Sequence, residues 1–77
     1  MEDILKNIIA DILSVKLEII NDEMTFENTE AWDSLKHMEM IAALEEEFEI
    51  EFTADEIVNV VTYVEIKKVL VEKGVDL

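Results

Sequence analysis

The sequence predicts an all-α fold, a bundle of three main helices plus one short helix, with a long ordered loop between the first and second. Three observations point there. Apolar residues recur at steps of three and four in separate stretches, the period of a helix with one buried face. Thr53 and Thr62 each stand three residues before a glutamate, Glu56 and Glu65, as in the capping box that starts a helix. The single glycine, Gly74, falls where the last apolar stripe runs out, the place for a C-terminal cap.

In the first helix the stripe is Ile4, Leu5, Ile8, Ile9, Ile12 and Leu13. Glu2 and Asp3 lie at its positive end, and Ser14 and Val15 close it. The connection from Lys16 to Trp32 exceeds the roughly 12–15 residues beyond which structureless loops become uncommon. Leu17, Ile19, Ile20, Met24, Phe26 and Trp32 are expected to fasten it to the core, with Asn21 and Asn28 turning the chain. Having neither Gly nor Pro, it reads as an ordered strap. The second helix spans 34–49, with His37, Met40, Ile41, Leu44 and Phe48 inward. Glu39, Glu45, Glu46, Glu47 and Glu49 point outward or to its flanks, and Met38 and Ala42 share a face beside the inner stripe.

Ile50 to Phe52 links this helix to a short one that starts at Thr53, includes Ile57 and Val58, and ends near Val60. The last helix starts at Thr62 and turns Tyr63, Ile66, Val69 and Leu70 inward, with Lys67, Lys68 and Lys73 toward its negative end. The valine-rich run 58–64 would suit a strand by propensity alone, but the flanking capping boxes favour helix.

The 77 residues make one domain, 1–77, with a modest core. Twenty acidic residues against six basic ones give a net charge of −14. Nucleic-acid phosphates repel such a surface, which excludes that class of partner, and anionic membranes are disfavoured for the same reason. The same charge speeds encounter with basic proteins. Absence of cysteine removes disulfides and thiolate metal sites. Charged residues interrupt the first apolar stripe, so neither a secretory leader nor a membrane span is read, and a monomeric, cytoplasmic protein is the expectation.

The start of the second helix differs from the other two. Asp33 and Ser34 are both able to cap it, and neither has a carboxylate three residues on: Lys36 and His37 stand there instead. If Asp33 caps, the Ser34 hydroxyl is spare and faces solvent. An Asp-Ser pair is most often only a helix start. A Ser34–His37–Asp33 catalytic triad is rejected, since all three residues share one turn and nothing supplies an oxyanion hole. His37, on the inner stripe, reads as a packed core residue. One histidine without cysteine, and acidic runs without glycine, leave no zinc or calcium set, so no metal site and no catalytic residue is expected. The junction does suit an anion, because a phosphate on Ser34 would sit over the open N–H groups of the helix.

The whole chain resembles an acyl carrier protein. Asp33-Ser34-Leu35 matches the family's Asp-Ser-Leu attachment motif. Leu44-Glu45-Glu46-Glu47-Phe48 resembles the acidic segment closing its second helix, and Thr62-Tyr63-Val64-Glu65-Ile66 resembles the start of its last. The resemblance implies a 4'-phosphopantetheine arm, transferred from coenzyme A to Ser34 by a phosphopantetheinyl transferase, with acyl cargo held as a thioester that can shelter between the helices. It implies that Asp33 helps hold magnesium and the transferase, and that Leu35 adjoins the attachment. It implies that Leu35, Met38, Glu39, Ala42, Glu45, Glu46 and Glu56 face partner enzymes, with Lys36 on the same surface. Those partners would be acyl-loading, ketosynthase-type or acyltransferase enzymes with basic docking surfaces.

Lys36-His37 replaces the family's acidic or small polar pair, and Trp32 stands where a small or aliphatic residue is commoner. Both features resemble specialised carriers of polyketide or modified-lipid pathways more than those of general fatty acid synthesis. Lys36, beside Ser34, is expected to weaken docking to strongly basic enzymes. Within the family the competing reading is an aminoacyl or peptidyl carrier, of D-alanylation or nonribosomal synthesis; outside it, an unmodified acidic interaction module.

Overall fold

Four α-helices form where the apolar spacing and the caps place them: α1 (Glu2–Leu13), α2 (Ser34–Phe48), α3 (Ala54–Asn59) and α4 (Tyr63–Glu72). The structure is a computed structural model and describes residues 2–77. Among those residues the only β-pairing is an isolated antiparallel bridge between Thr25 and Thr62. No helix among them is long and apolar enough to cross a membrane.

The core is the meeting of three stripes. Leu5, Ile9 and Leu13 of α1 pack with Met40, Ile41 and Leu44 of α2 and with Tyr63, Ile66 and Leu70 of α4, all buried. Each such side chain contributes about 1.5–3 kcal/mol on leaving water, which is what holds a bundle of short helices together. α3 contributes no buried residue within its six-residue span. It is too short to persist alone, so its position depends on its ends and on neighbours.

Three helices stop in the same way. Ser14 and Glu49 take left-handed backbone angles (φ 56° and 54°), as does Gly74 (φ 93°). The next amide then reaches back five residues, Val15 to the Ala10 carbonyl, Ile50 to Glu45 and Val75 to Leu70. This closing turn satisfies carbonyls the helix leaves open, and glycine adopts it without steric cost.

The strap between α1 and α2 is ordered, and it is the two asparagines that shape it. Asn28 Oδ1 accepts the Thr25 amide and the Thr29 hydroxyl, its own amide meets Thr25 Oγ1, and its Nδ2 donates to the Glu23 carbonyl. Asn21 Oδ1 accepts the Glu23 amide, turning the chain. Ile20, Met24 and Trp32 are buried anchors as expected, and Phe26 is partly so. Leu17 and Ile19 are not anchors. They sit on a 3-10 turn, Leu17–Ile19, whose tight winding brings Ile20 to the core and leaves both exposed.

At the α3–α4 junction the valine-rich run is neither all helix nor a strand. Phe26 N–H donates to the Val61 carbonyl (2.8 Å) and Tyr63 N–H to the Met24 carbonyl (3.0 Å), stitching the strap to the junction. Thr53 and Glu56 make the full capping box of α3. Thr62 makes only half of one: its Oγ1 accepts the Glu65 amide and donates to the Glu65 carboxylate, while the bridge holds its backbone extended. Lys67 and Lys73 do not serve the α4 dipole. Lys67 Nζ reaches Glu2 (3.3 Å) and Asp22 (2.6 Å), and Lys73 Nζ reaches Glu56 (2.8 Å), so both lysines tie elements together.

Candidate functional site

Asp33 is the cap of α2. Its backbone is extended, and its Oδ1 accepts the Lys36 amide at 2.8 Å. Its carbonyl accepts the His37 amide, also at 2.8 Å, as the first bond of the helix. With the capping acceptor supplied from 33, the hydroxyl of the next residue is not needed for it. Ser34 therefore stands exposed in the first turn of a 15-residue helix, beside amides that carry the positive end of the dipole.

An apolar groove of about 270 Å³ begins at Ser34 and is lined by Phe26, His37, Met38, Ile57, Val58 and Val61. A second groove, of about 400 Å³, shares Phe26 and Val61 with it and continues over Thr25 and Thr62. Leu35 (68 % exposed), Met38 (51 %) and Val58 (72 %) form an unusually apolar rim for so charged a surface. Glu39, Ala42 and Glu46 are exposed farther along α2. Phe26, Ile57, Val58 and Val61 were not among the expected site residues. They come from the strap, from α3 and from the α3–α4 junction, and only folding brings them to Ser34.

Other expected positions carry internal duties as well. Lys36 Nζ stands 3.8 Å from Glu39, a surface pair of small energetic weight that partly cancels both charges. Glu45 Oε2 accepts the Phe52 amide at 2.9 Å, closing the link after α2. Glu56 caps α3 through Thr53 N–H and pairs with Lys73. The Lys73 ammonium, and after it the Thr53 amide, hold the Glu56 carboxyl below its ordinary range. Among the described residues, no group of three or more His, Asp or Glu stands together to hold a metal ion.

His37 is buried, as its place on the inner stripe implies, but it does more than fill space. Trp32 Nε1–H donates to His37 Nδ1 (3.0 Å), and the other ring nitrogen lies 2.7 Å from the Ile57 carbonyl. An indole can only donate and a carbonyl can only accept. The imidazole is therefore neutral, with its proton on Nε2. The two rings stack at 5.9 Å, and Phe26 meets both edge-on, at 5.8 and 6.1 Å. The Ile57 carbonyl lies near the end of α3, where a helix has no donor of its own, so His37 supplies one from α2.

Comparison with known families agrees with this geometry. A family model described as a phosphopantetheine attachment site matches residues 3–70, which takes in the strap, α2, α3 and most of α1 and α4.

Proposed function

The chain belongs to the phosphopantetheine-attachment family of carrier proteins, and on that premise we propose that it is a discrete, non-catalytic acyl carrier whose arm is esterified to Ser34. Carriers of this family bear 4'-phosphopantetheine and deal with a phosphopantetheinyl transferase and with biosynthetic enzymes. The observation that carries the assignment to Ser34 is the division of labour at the helix start. Asp33 takes the cap, so an exposed hydroxyl is left at the positive end of α2.

The surroundings fit the group. A phosphate on Ser34 Oγ would face the open amides of the first turn, a placement worth ~0.3–1 kcal/mol at an exposed site. The apolar groove beside it offers a surface to the aliphatic part of an arm. The group supplies a thiol, which a chain without cysteine does not have, and with it thioester chemistry.

The chain's own residues would position and present. Asp33, free of any basic partner on its own turn, would help hold magnesium and the transferase. Leu35 and Met38 would give an apolar contact to the visiting enzyme, with Glu39, Ala42 and Glu46 alongside and Glu45 and Glu56 offering what their internal bonds leave free. Such a surface suits basic partners, while Lys36 tempers the attraction close to Ser34. The net charge of −14 favours acyl over aminoacyl cargo, in fatty acid, modified-lipid or polyketide synthesis.

Intact mass after incubation with coenzyme A and a promiscuous transferase tests the assignment. A phosphopantetheine increment is expected in the wild type and not in Ser34→Ala. An increment that persists in the variant, or a wild type that gains none, overturns it. Loading by acyl-activating against amino-acid-activating enzymes then decides the cargo class, and preferential aminoacylation would overturn the acyl reading.

A further inference from the structure

We propose that Trp32 and His37 form a bar across the seam between α2 and α3, so that the cargo carried at Ser34 stays on the surface and does not enter the core. This rests on the attachment proposed at Ser34. It assigns the protein a cargo class: short or polar acyl groups, which need no apolar shelter.

The seam opens beside Ser34, at the groove lined by Phe26, Met38, Ile57, Val58 and Val61, and His37 lies in its wall. A cargo chain going deeper must pass between α2 and α3. His37 occupies that path with a hydrogen bond at each ring nitrogen, one from Trp32 in the strap and one to Ile57 in α3. Trp32 is 1 % exposed and His37 9 %, so the bond between them is shut off from water and costly to break, while the bond to Ile57 is part-buried. Beyond His37 the inner stripe of α2 continues through Met40, Ile41 and Leu44, all buried.

Parting the seam would break two bonds at once, leaving the buried indole N–H and imidazole, and the half-buried carbonyl of Ile57, without their partners. Among the described residues no buried side-chain nitrogen or oxygen is unpaired, so the closed seam is the satisfied state. Each methylene of a cargo gains a little on burial, and only a long chain gathers enough to offset two such bonds. A short or polar group cannot. α3 has no fully buried residue of its own, and the bond from His37 to its last turn is one of the ties that keep it down on α2.

The test loads the full chain with acetyl-CoA or octanoyl-CoA through a promiscuous transferase, confirms loading by intact mass, and compares melting temperatures and emission of Trp32, the only tryptophan. The wild type is expected to melt at the same temperature with either cargo and to keep the same emission. His37→Ala removes the bar and leaves apolar space that a chain can fill. In that variant the octanoyl form is expected to melt roughly 4 °C or more above the acetyl form. Trp32→Phe keeps most of the aromatic bulk but drops the N–H, and is expected to show the same dependence more weakly; it decides the matter should His37→Ala not fold.

A merely structural role for the pair would lower the melting temperature equally with both cargoes. An octanoyl-dependent rise or an emission change in the wild type would overturn the proposal, and so would variants that treat the two cargoes alike. If mass shows no loading at Ser34, the attachment reading fails first, before any melt is recorded, and the bar falls with it.

Discussion

Asp33 caps α2 and is proposed to receive the transferase, and replacing it in two ways separates the two tasks. Its Oδ1 accepts the Lys36 amide at 2.8 Å, a full-strength cap bond. Asp33→Ala deletes that acceptor and the negative charge at the helix start. Loss of a cap costs about 0.5–2 kcal/mol, typically near 1. Loss of the charge adds a further ~0.3–1 kcal/mol at a solvent-exposed end. In a domain this small each kcal/mol lowers the melting temperature by roughly 4–8 °C, so the alanine variant should melt about 5–16 °C below wild type. Asparagine caps as well as aspartate does, so Asp33→Asn should lose only the charge contribution, about 1–8 °C and always less than alanine loses.

Transfer chemistry should rank the variants differently. If the carboxylate helps hold magnesium, Asn is nearly as poor as Ala, and the rate of phosphopantetheine transfer falls by roughly 10–100-fold in both. Circular dichroism melts and a time course of mass increment give the two readouts. An asparagine variant that melts as low as alanine refutes the capping argument, and one that is modified at the wild-type rate refutes the metal contact. The alanine variant has one further route: Ser34 could turn its own hydroxyl back to cap the helix. That would soften the loss of stability while withdrawing the nucleophile, so a mild melt with a severe transfer defect in Asp33→Ala alone would reveal it.

Asn28→Ala should destabilise by about 0.5–1.5 kcal/mol, because the Thr25 amide and the Glu23 carbonyl exchange a fixed partner for water on the exposed strap; urea denaturation checks it, and a change under about 0.3 kcal/mol would mean water replaces the side chain freely. Acid should erode stability through Glu2 and Glu56. The Tyr63 hydroxyl, then Lys67, holds the Glu2 carboxyl below its ordinary value, and Lys73 does the same for Glu56. A carboxyl lowered by folding contributes stability above its unfolded value near 4.5 and loses it as pH falls through the lower folded value. Glu56→Gln should therefore flatten the fall in stability below about pH 4.5 in urea melts, and an unchanged slope counts against the pairing. At the other end, burial, and after it the Glu2 carboxylate, pushes the Tyr63 hydroxyl up. Its contribution is present below about pH 10 and lost as pH rises toward the folded value, so Tyr63→Phe should show a shallower alkaline decline.

The sequence disclosed what depends on neighbours. Three residues separate Thr53 from Glu56, and the capping box read from that spacing is complete. The sequence offers Asp33 and Ser34 as alternative caps, and the geometry of α2 gives the cap to Asp33. The inner stripes came through at the positions where period and burial coincide. What stayed hidden are side chains that act across the fold. Lys67 has two charged partners, Glu2 and Asp22, 65 and 45 residues away, and nothing in its surroundings on α4 marks it off from a lysine serving the helix dipole. Glu45 looks like any other carboxylate of its acidic run, yet its angle on α2 brings it to the Phe52 amide. Leu17 and Ile19 misled for the opposite reason: apolar type suggests burial, but a 3-10 turn has too few residues to turn all of its side chains inward.

The same contrast explains why the site stands beside α3. A six-residue helix with no buried residue of its own has little intrinsic stability, and its neighbours supply most of what holds it. Lys73 reaches it from beyond α4, the strap stitches its exit through Val61, and His37 bonds its last turn from α2. Each of those attachments is polar and directional, whereas α1, α2 and α4 are joined by a broad apolar core. Apolar packing tolerates sliding; a hydrogen bond breaks when its partners move by an ångström or so. The wall of the groove beside Ser34 is thus the part of the bundle where single side chains have most leverage. Trp32, Lys36 and His37 all lie at that wall or within one helical turn of Ser34, so substitutions at these three positions should alter the groove more than equal changes on the faces of α1 or α4.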